Sequence, residues 1–152
     1  MIRRITAGFL ALTALLVLSG CTPQLTPEEY REKLMSCTSE YSAAQMEVVN
    51  SLTADDDGYF IGNLAVFEEK CTAFENAMKQ IEEINPPDAY KEKHLQAVKA
   101  LDNEREWLEA VRSYTTAKTP EELKRCDDEI QRTANYENSF PMQVIQIIRS
   151  IG

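Results

Sequence analysis

The sequence predicts an all-α protein, an up-down-up-down four-helix bundle. Three observations favour this fold. Only five glycines and six prolines interrupt the 152 residues, and the segments between them are rich in Glu, Lys, Ala, Leu, Gln and Met, which favour helix. Apolar side chains recur in those segments at spacings of three and four, as on one face of a helix. A net charge of −9 with 43% hydrophobic residues fits one ordinary globular domain.

The first predicted helix, over about 27–54, opens with Thr26-Pro27-Glu28-Glu29. This motif supplies a hydroxyl at the N-cap, a proline at the first helical position and a carboxylate at the third. The expected buried face consists of Tyr30, Leu34, Cys37, Tyr41, Ala44 and Val48.

The second helix is predicted over about 60–84 and ends before Pro86-Pro87, because a residue that precedes proline avoids the α region. Its apolar face contains Phe60, Leu64, Phe67, Cys71, Phe74, Met78 and Ile81. Pro87 can start the third helix.

The third helix has a less regular apolar face. Glu104 interrupts the stripe and Trp107 lies beside it, so we expect the buried face to drift or widen here. The stripe itself consists of Tyr90, His94, Ala97, Leu101, Leu108 and Val111.

A second capping motif, Thr119-Pro120-Glu121-Glu122, opens the fourth predicted helix. Pro141 is expected to kink or split this helix. Residues 142–151 contain more isoleucine and valine than one buried helix face requires. We expect them to pack into the core, and the alternative is that they form a partner-binding face.

The first twenty residues have the pattern of a secretory signal peptide. Arg3 and Arg4 precede an uncharged apolar run over residues 5–18, which is shorter than the roughly 20 residues of a spanning helix. Leu18-Ser19-Gly20-Cys21 resembles the lipobox of bacterial lipoproteins. The resemblance implies cleavage before Cys21 and lipid on its thiol. It divides the chain into a signal peptide over 1–20, a lipidated cysteine with a short tether over 21–26, and the helical domain over 27–152.

The resemblance also implies a location. Thr22 stands where lipoproteins retained at an inner membrane commonly carry aspartate, so in a cell with two membranes we expect the outer one. The segment from Ile81 to Tyr90, with its Pro86-Pro87 pair and the following His94, resembles hairpins of small helical envelope lipoproteins.

Charge limits the partners. Loss of residues 1–20 removes two arginines and no acid, so the charge of the remaining chain becomes −11. We therefore expect no nucleic-acid partner, and we expect membrane attachment through lipid alone.

The three remaining cysteines allow two interpretations, a disulfide or buried free thiols. Cys37 and Cys71 lie on inward stripes of adjacent predicted helices, and a disulfide between them is possible in an exported protein. Alternatively, both are small buried hydrophobic residues like Cys126.

His94 and Met78 face each other across the second predicted hairpin. Such a pair could ligate haem iron, but Phe74 and Ile81 crowd this level and the chain has no Cys-x-x-Cys-His attachment motif. We expect no cofactor, and treat the pair only as a weak candidate ligand site.

Recognisable catalytic and metal-binding patterns are missing from the sequence. One histidine cannot form the usual nucleophile–base pairs, and Asp55-Asp56-Asp57-Gly58 fails the spacing of a calcium loop. We expect neither catalytic nor metal-ligating residues. The sequence favours a lipid-anchored, non-enzymatic binding protein with a protein partner in the cell envelope, and its alternative is a carrier or sensor of a small ligand, such as haem, held in the bundle core.

Overall fold

The computed structural model describes residues 23–134 and 139–151, and this part of the chain is helical. It contains five α-helices and a short 3-10 turn: α1 (Pro27–Ser51), α2 (Leu64–Glu82), the turn (Asp88–Tyr90), α3 (Lys91–Tyr114), α4 (Pro120–Thr133) and α5 (Phe140–Ile151). The described residues include no β-strand, only an isolated bridge between Ala54 and Phe60. The prediction of an all-α protein is confirmed.

Both predicted capping motifs form. Thr26 Oγ1 accepts a hydrogen bond from the Glu29 amide at 3.3 Å, and the Glu29 carboxylate accepts one from the Thr26 amide at 2.8 Å. Thr119 and Glu122 repeat this arrangement at the start of α4. At the start of each of these two helices, two otherwise unpaired amides gain a hydrogen-bond acceptor. This explains why both helices begin where the sequence predicts.

The connection between α1 and α2 is longer than predicted. Helix α1 ends at Ser51 and α2 begins only at Leu64, because Phe60 pairs with Ala54 instead of extending the helix. Gly58 has a φ of +87°, a conformation that side chains disfavour. Asn63 then caps α2 by accepting from two backbone amides through its side-chain oxygen.

The segment before α1 lies against the connection between α2 and α3. The Leu25 amide donates to the Asn85 carbonyl at 3.3 Å, and Gln24 Nε2 donates to the Pro86 carbonyl at 3.2 Å. The predicted tether therefore reaches the domain at this end. Pro87 precedes the 3-10 turn rather than α3 itself, so the third helix begins at Lys91.

The predicted fourth helix is two helices. Helix α4 packs against the C-terminal half of α3, where Arg132 bonds to Glu106 at 2.9 Å. Helix α5 packs against both α3 and α1. The break falls between Ala134 and Phe140, immediately before Pro141, as expected for a residue that disrupts the preceding helical turn.

The core lies among α1, α2, α3 and α5. Its largest fully buried side chains are Tyr30, Tyr41, Phe67, Phe74, Phe140, Leu34, Met78, Ile81, Leu101, Leu108, Ile147 and Val48. Helix α4 buries only Cys126 and Thr133. Residues 142–151 take part in the core through Val144 and Ile147. Among the described residues no helix is long and apolar enough to span a bilayer.

Candidate functional site

A cavity of about 300 Å³ lies between α1, α3, the end of α4 and the start of α5. The separation of the fourth predicted helix into α4 and α5 brings the ends of both helices to this site. The cavity is lined by Tyr41, Gln45, Glu104, Trp107, Thr133, Ala134, Ser139 and Pro141. Its volume is at the lower end of the range for small-molecule sites.

Tyr41 forms the buried wall of this cavity. Its side chain is 1% exposed, and its ring packs against Phe74 and Phe140 with centroids 5.1 and 4.9 Å away. The Tyr41 hydroxyl is buried and makes no hydrogen bond of normal length and geometry to the described residues. Burial raises the pKa of Tyr41 far above its usual value, and both the charge of Glu104 and the interaction of its side chain with the hydroxyl add to this effect. The hydroxyl therefore stays protonated, near Glu104 but without a well-formed hydrogen bond, which is unusual for a buried polar group.

Glu104 supplies the only carboxylate among the described lining residues. Gln45 Nε2 donates to Glu104 Oε2 at 3.2 Å, which links α1 to α3. Burial raises the pKa of Glu104, although Tyr41 and Gln45 act in the opposite direction. Within the described part of the lining, neither lysine nor arginine balances this carboxylate.

Trp107 closes the apolar side of the cavity. It is the only tryptophan of the chain, is half-buried, and meets Phe74 edge to face at 5.9 Å. The site thus combines an aromatic wall with one carboxylate and one unpaired hydroxyl. These groups suit binding of a hydrogen-bond donor.

The signal for this site in the sequence is indirect. Glu104 and Trp107 are the irregularity in the third predicted helix, but the separation of α4 from α5, which places a cavity beside them, is a tertiary feature. Tyr41 matches the apolar stripe of α1 and is predicted as core, which describes its ring but not its hydroxyl.

His94 lies elsewhere, in an aromatic cluster near the start of α3. Its Nδ1 shares a hydrogen bond of 3.1 Å with the Tyr30 hydroxyl, and the two rings meet edge to face. Burial lowers the pKa of His94, and the Ile81 backbone opposes this shift. Met78 is buried in the core. Neither His94 nor Met78 lines the described part of the Tyr41 cavity, and the pair stays only the weak candidate ligand site that the sequence allows.

Cys37 and Cys71 lie in the core on α1 and α2, and both are free thiols in the structure. Burial raises the pKa of each thiol, that of Cys71 to about 11. Their predicted disulfide stays a prediction. Cys126 is a buried free thiol on α4. Cys21 and the predicted signal peptide lie outside the described residues.

The acidic turn after α1 has a structural explanation. Asp55 Oδ1 accepts from the amides of Asp57 and Tyr59 at 3.1 and 2.8 Å, so this carboxylate holds the turn together. In the part of the chain that the structure describes, no group of three or more acidic, histidine or cysteine side chains could hold a metal ion.

No protein-family model, curated protein sequence or solved structure matches this chain. The features of the described chain that bear on function are the cavity beside Tyr41 and Glu104 and the exposed apolar side chains.

Proposed function

We propose that this chain is a lipid-anchored protein of the bacterial cell envelope that binds another envelope protein and catalyses no reaction. The lipobox-like Leu18-Ser19-Gly20-Cys21 supports export and attachment of lipid to Cys21. Two or more acyl chains give stable membrane attachment, whereas a single chain gives only marginal binding. Thr22 favours the outer membrane where the cell has two.

The observation that carries the binding role is the position of the exposed apolar side chains. Of the eight large hydrophobic residues exposed in the described chain, five lie where α1 ends and α2 begins. Contiguous exposed apolar patches are typical of protein-binding surfaces, and we propose that these side chains contribute to one. We call these five the apical residues: Met46, Val49, Ile61, Leu64 and Val66.

The apical residues lie far from the predicted membrane anchor. The chain enters α1 beside Asn85 and Pro86, at the opposite end of the domain. The 25 residues of α1 separate the two ends by about 38 Å at 1.5 Å per residue. A protein anchored through Cys21 can therefore present its apical residues to a partner away from the membrane.

We further propose that the helices form an up-down-up-down bundle with a broken fourth helix. The connections from α2 to α3 and from α3 to α4 are short, which favours antiparallel neighbours. The pairing of α1 with α2, and of α3 with both α4 and α5, supports this arrangement. In this interpretation α4 and α5 together replace the single fourth helix.

The anchor is tested by Cys21→Ser. We expect the unchanged protein to fractionate with membranes and to carry a lipid mass on an N-terminal Cys21 peptide. The variant is expected to lose that mass and to leave the membrane fraction. A bare Cys21 on a protein that retains residues 1–20 would contradict the proposal.

The binding role is tested with a photoreactive residue at position 49 in intact cells. We expect one discrete crosslinked protein, which disappears when Met46→Gln and Ile61→Gln are added. The matched control, Met35→Gln with Leu95→Gln, also removes two exposed apolar side chains but leaves the apical residues intact. It should retain the crosslink. If both double variants lost the crosslink equally, or if no crosslink formed at position 49, the apical residues would not be the binding surface.

A second candidate function, a carrier or sensor of a small ligand, is favoured by one observation, the cavity beside Tyr41 and Glu104.

A further inference from the structure

We propose that the apical residues bind a cationic amphipathic segment of the partner protein, one that combines lysine or arginine with large apolar side chains. The inference rests on the proposed binding role and specifies the chemistry of the partner. It is carried by the carboxylates that lie among the apical residues and by the small number of cations that balance them.

Three carboxylates lie on the same loop as Ile61. Residues 53–61 fold back on themselves, since the Ile61 amide donates to the Thr53 carbonyl at 2.8 Å. The tip of this loop carries three consecutive exposed aspartates, Asp55, Asp56 and Asp57. Paired segments lie about 5 Å apart and rise about 3.3 Å per residue, so the aspartate nearest Thr53 is within about 10 Å of Ile61. One bound segment can therefore contact both the apolar side chain and the acidic tip.

Two further carboxylates lie beside Val66. Val66, Glu69 and Lys70 are three and four positions apart in α2, so they share one face of the helix. Lys70 Nζ lies 3.7 Å from a Glu47 oxygen of α1 and 3.8 Å from a Glu69 oxygen. The Glu47 and Glu69 side chains are 59% and 75% exposed. A single ammonium is thus shared by two accessible carboxylates next to an exposed valine.

The charge of this end of the protein is one-sided. Residues 46–70 contain six acidic side chains and one basic side chain, Lys70. Within the described chain, none of the ion pairs includes an aspartate of the acidic tip. The apical residues are therefore surrounded by negative charge that the segment itself does not neutralise.

Neighbouring elements do not reverse this balance. Arg112 of α3 pairs with Glu68, but it also pairs with two other glutamates. The end of α3 meets the loop through the Tyr114 hydroxyl, which donates to the Gly58 carbonyl. The connection that follows, and the first turn of α4, add one lysine and two glutamates, Lys118, Glu121 and Glu122.

A cationic amphipathic segment fits this surface better than the other occupants. Its apolar side chains can cover Ile61 and Val66 while its cations meet the carboxylates, and such complementarity speeds association and selects the partner. An anionic lipid surface would be repelled by the same carboxylates. A second copy of this chain would place two acidic surfaces against each other.

The first test uses the purified full-length protein and three labelled synthetic peptides of about fourteen residues that form amphipathic helices. One peptide contains leucine and lysine, the second leucine and glutamate, and the third serine and lysine. Fluorescence anisotropy should give the leucine–lysine peptide a Kd of about 10 μM or below, with the other two at least about tenfold weaker. Its binding should weaken severalfold between about 0.05 M and about 0.5 M salt.

The role of the carboxylates is tested by two double variants that remove the same charge. Asp56→Asn with Asp57→Asn acts at the acidic tip, and we expect affinity for the leucine–lysine peptide to fall by about three- to tenfold. Glu32→Gln with Glu92→Gln acts at exposed positions of the first turns of α1 and α3. This control should change the affinity by less than about twofold.

The role of the apolar side chains is tested in the same way. Ile61→Gln with Val66→Gln should weaken binding of the leucine–lysine peptide, and Met35→Gln with Leu95→Gln should not. All four side chains are exposed, so the variants are expected to fold, and far-ultraviolet circular dichroism checks this.

The second test identifies the segment that the photoreactive residue at position 49 captures in intact cells. We expect mass spectrometry to place the crosslink in a partner segment rich in lysine or arginine and in large apolar residues. A crosslink to an acidic or uncharged segment would overturn this inference and leave the binding role intact. Without a crosslinked protein the binding role fails, and the inference fails with it. Equal binding of the lysine and glutamate peptides, or equal losses in the two charge variants, would also overturn the inference.

Discussion

Tyr30 and Tyr41 are both fully buried on the inner face of α1, yet their hydroxyls have different surroundings. The Tyr30 hydroxyl bonds to His94 Nδ1 at 3.1 Å, whereas the Tyr41 hydroxyl has no partner in the described structure. A buried polar group without a partner loses its bonds to water and gains nothing in return. The two residues therefore contribute differently to stability although the sequence pattern treats them alike.

This difference predicts opposite results for two identical substitutions. Tyr41→Phe should leave the free energy of unfolding unchanged or raise it, because only an unsatisfied hydroxyl is lost. Tyr30→Phe should lower it by about 1 to 2 kcal/mol, because His94 Nδ1 then lacks its partner. Urea unfolding of both variants measures the effect. A Tyr41→Phe protein destabilised as much as Tyr30→Phe would show that the Tyr41 hydroxyl is bonded.

His94 should make stability depend on pH. Burial lowers its pKa in the folded protein below the usual 6.5, so between these values the unfolded chain binds more protons. The free energy of unfolding therefore rises with pH through this range and falls as the solution is acidified below 6.5.

The measurement compares His94→Gln with the unchanged protein by urea unfolding at several pH values on both sides of the usual histidine pKa. We expect the variant to lose less stability on acidification, whatever its absolute stability. Glu104, whose raised pKa has the opposite effect on the slope, is present in both proteins and cancels in the comparison. Parallel pH profiles would argue against a buried, neutral His94.

Helix α5 has apolar residues both on its buried face and on its solvent-exposed face. Phe140, Val144 and Ile147 face the core, while Ile145 points toward solvent. The sequence could not decide between a core and a partner-binding face for this tail because it contains more apolar residues than one stripe requires. In the structure α5 packs against α1 and α3, so its apolar face lies in the core.

Two alanine substitutions within α5 check this assignment. Ile147 is 1% exposed and Ile145 is 37% exposed. Ile147→Ala should lower the free energy of unfolding by about 3 kcal/mol, since it leaves a cavity. Ile145→Ala should change it by less than about 1 kcal/mol. Thermal or urea unfolding distinguishes them, and equal losses would place both side chains in the core.

Between elements, ion pairs supplement the apolar contacts. Arg112 of α3 bonds to Glu68 and Glu75 of α2 at 3.2 and 2.8 Å, and these neighbours raise its pKa. Arg105 also pairs with Glu82. The carboxylates of these pairs are only 33–47% exposed but still reach solvent, so each pair adds modestly to stability. They favour one register between α2 and α3.

For the molecule as a whole, the core is unevenly shared. Helices α1, α2, α3 and α5 supply almost all of its buried residues, and α4 contributes mainly a partly buried Ile130. Much of the contact between α4 and α3 lies at the surface, as in the pair between Arg132 and Glu106. Local opening is easiest where few apolar contacts hold an element.

We therefore expect amides of α4 to exchange with solvent faster than those of α1 and α3. Native-state hydrogen exchange with peptide-level mass spectrometry measures this. The comparison should use residues within each helix and exclude the first turns, whose amides lack helical partners. Equal protection of α4 and α3 would show that both belong to one cooperative unit.

Which segments are helical, and where two of the helices begin, follows from the amino-acid sequence alone. Helix-forming composition, the motifs at Thr26 and Thr119, and stripes of apolar residues depend on neighbours within a few positions, so they can be read locally. The same local pattern predicts that α2 begins at about residue 60, whereas it begins at Leu64. Phe60 fits the apolar stripe, but its pairing with Ala54 depends on the path of the connecting chain.

The presence of a cavity opposite Glu104, where the apolar stripe of α3 is interrupted, depends on how the helices pack. The break in the fourth predicted helix, the packing of α5 against α1, and the lack of a partner for the Tyr41 hydroxyl all depend on residues remote in sequence. Periodicity reports which side of a helix is apolar. It does not report what lies opposite, and the chemistry of this site depends on what lies opposite.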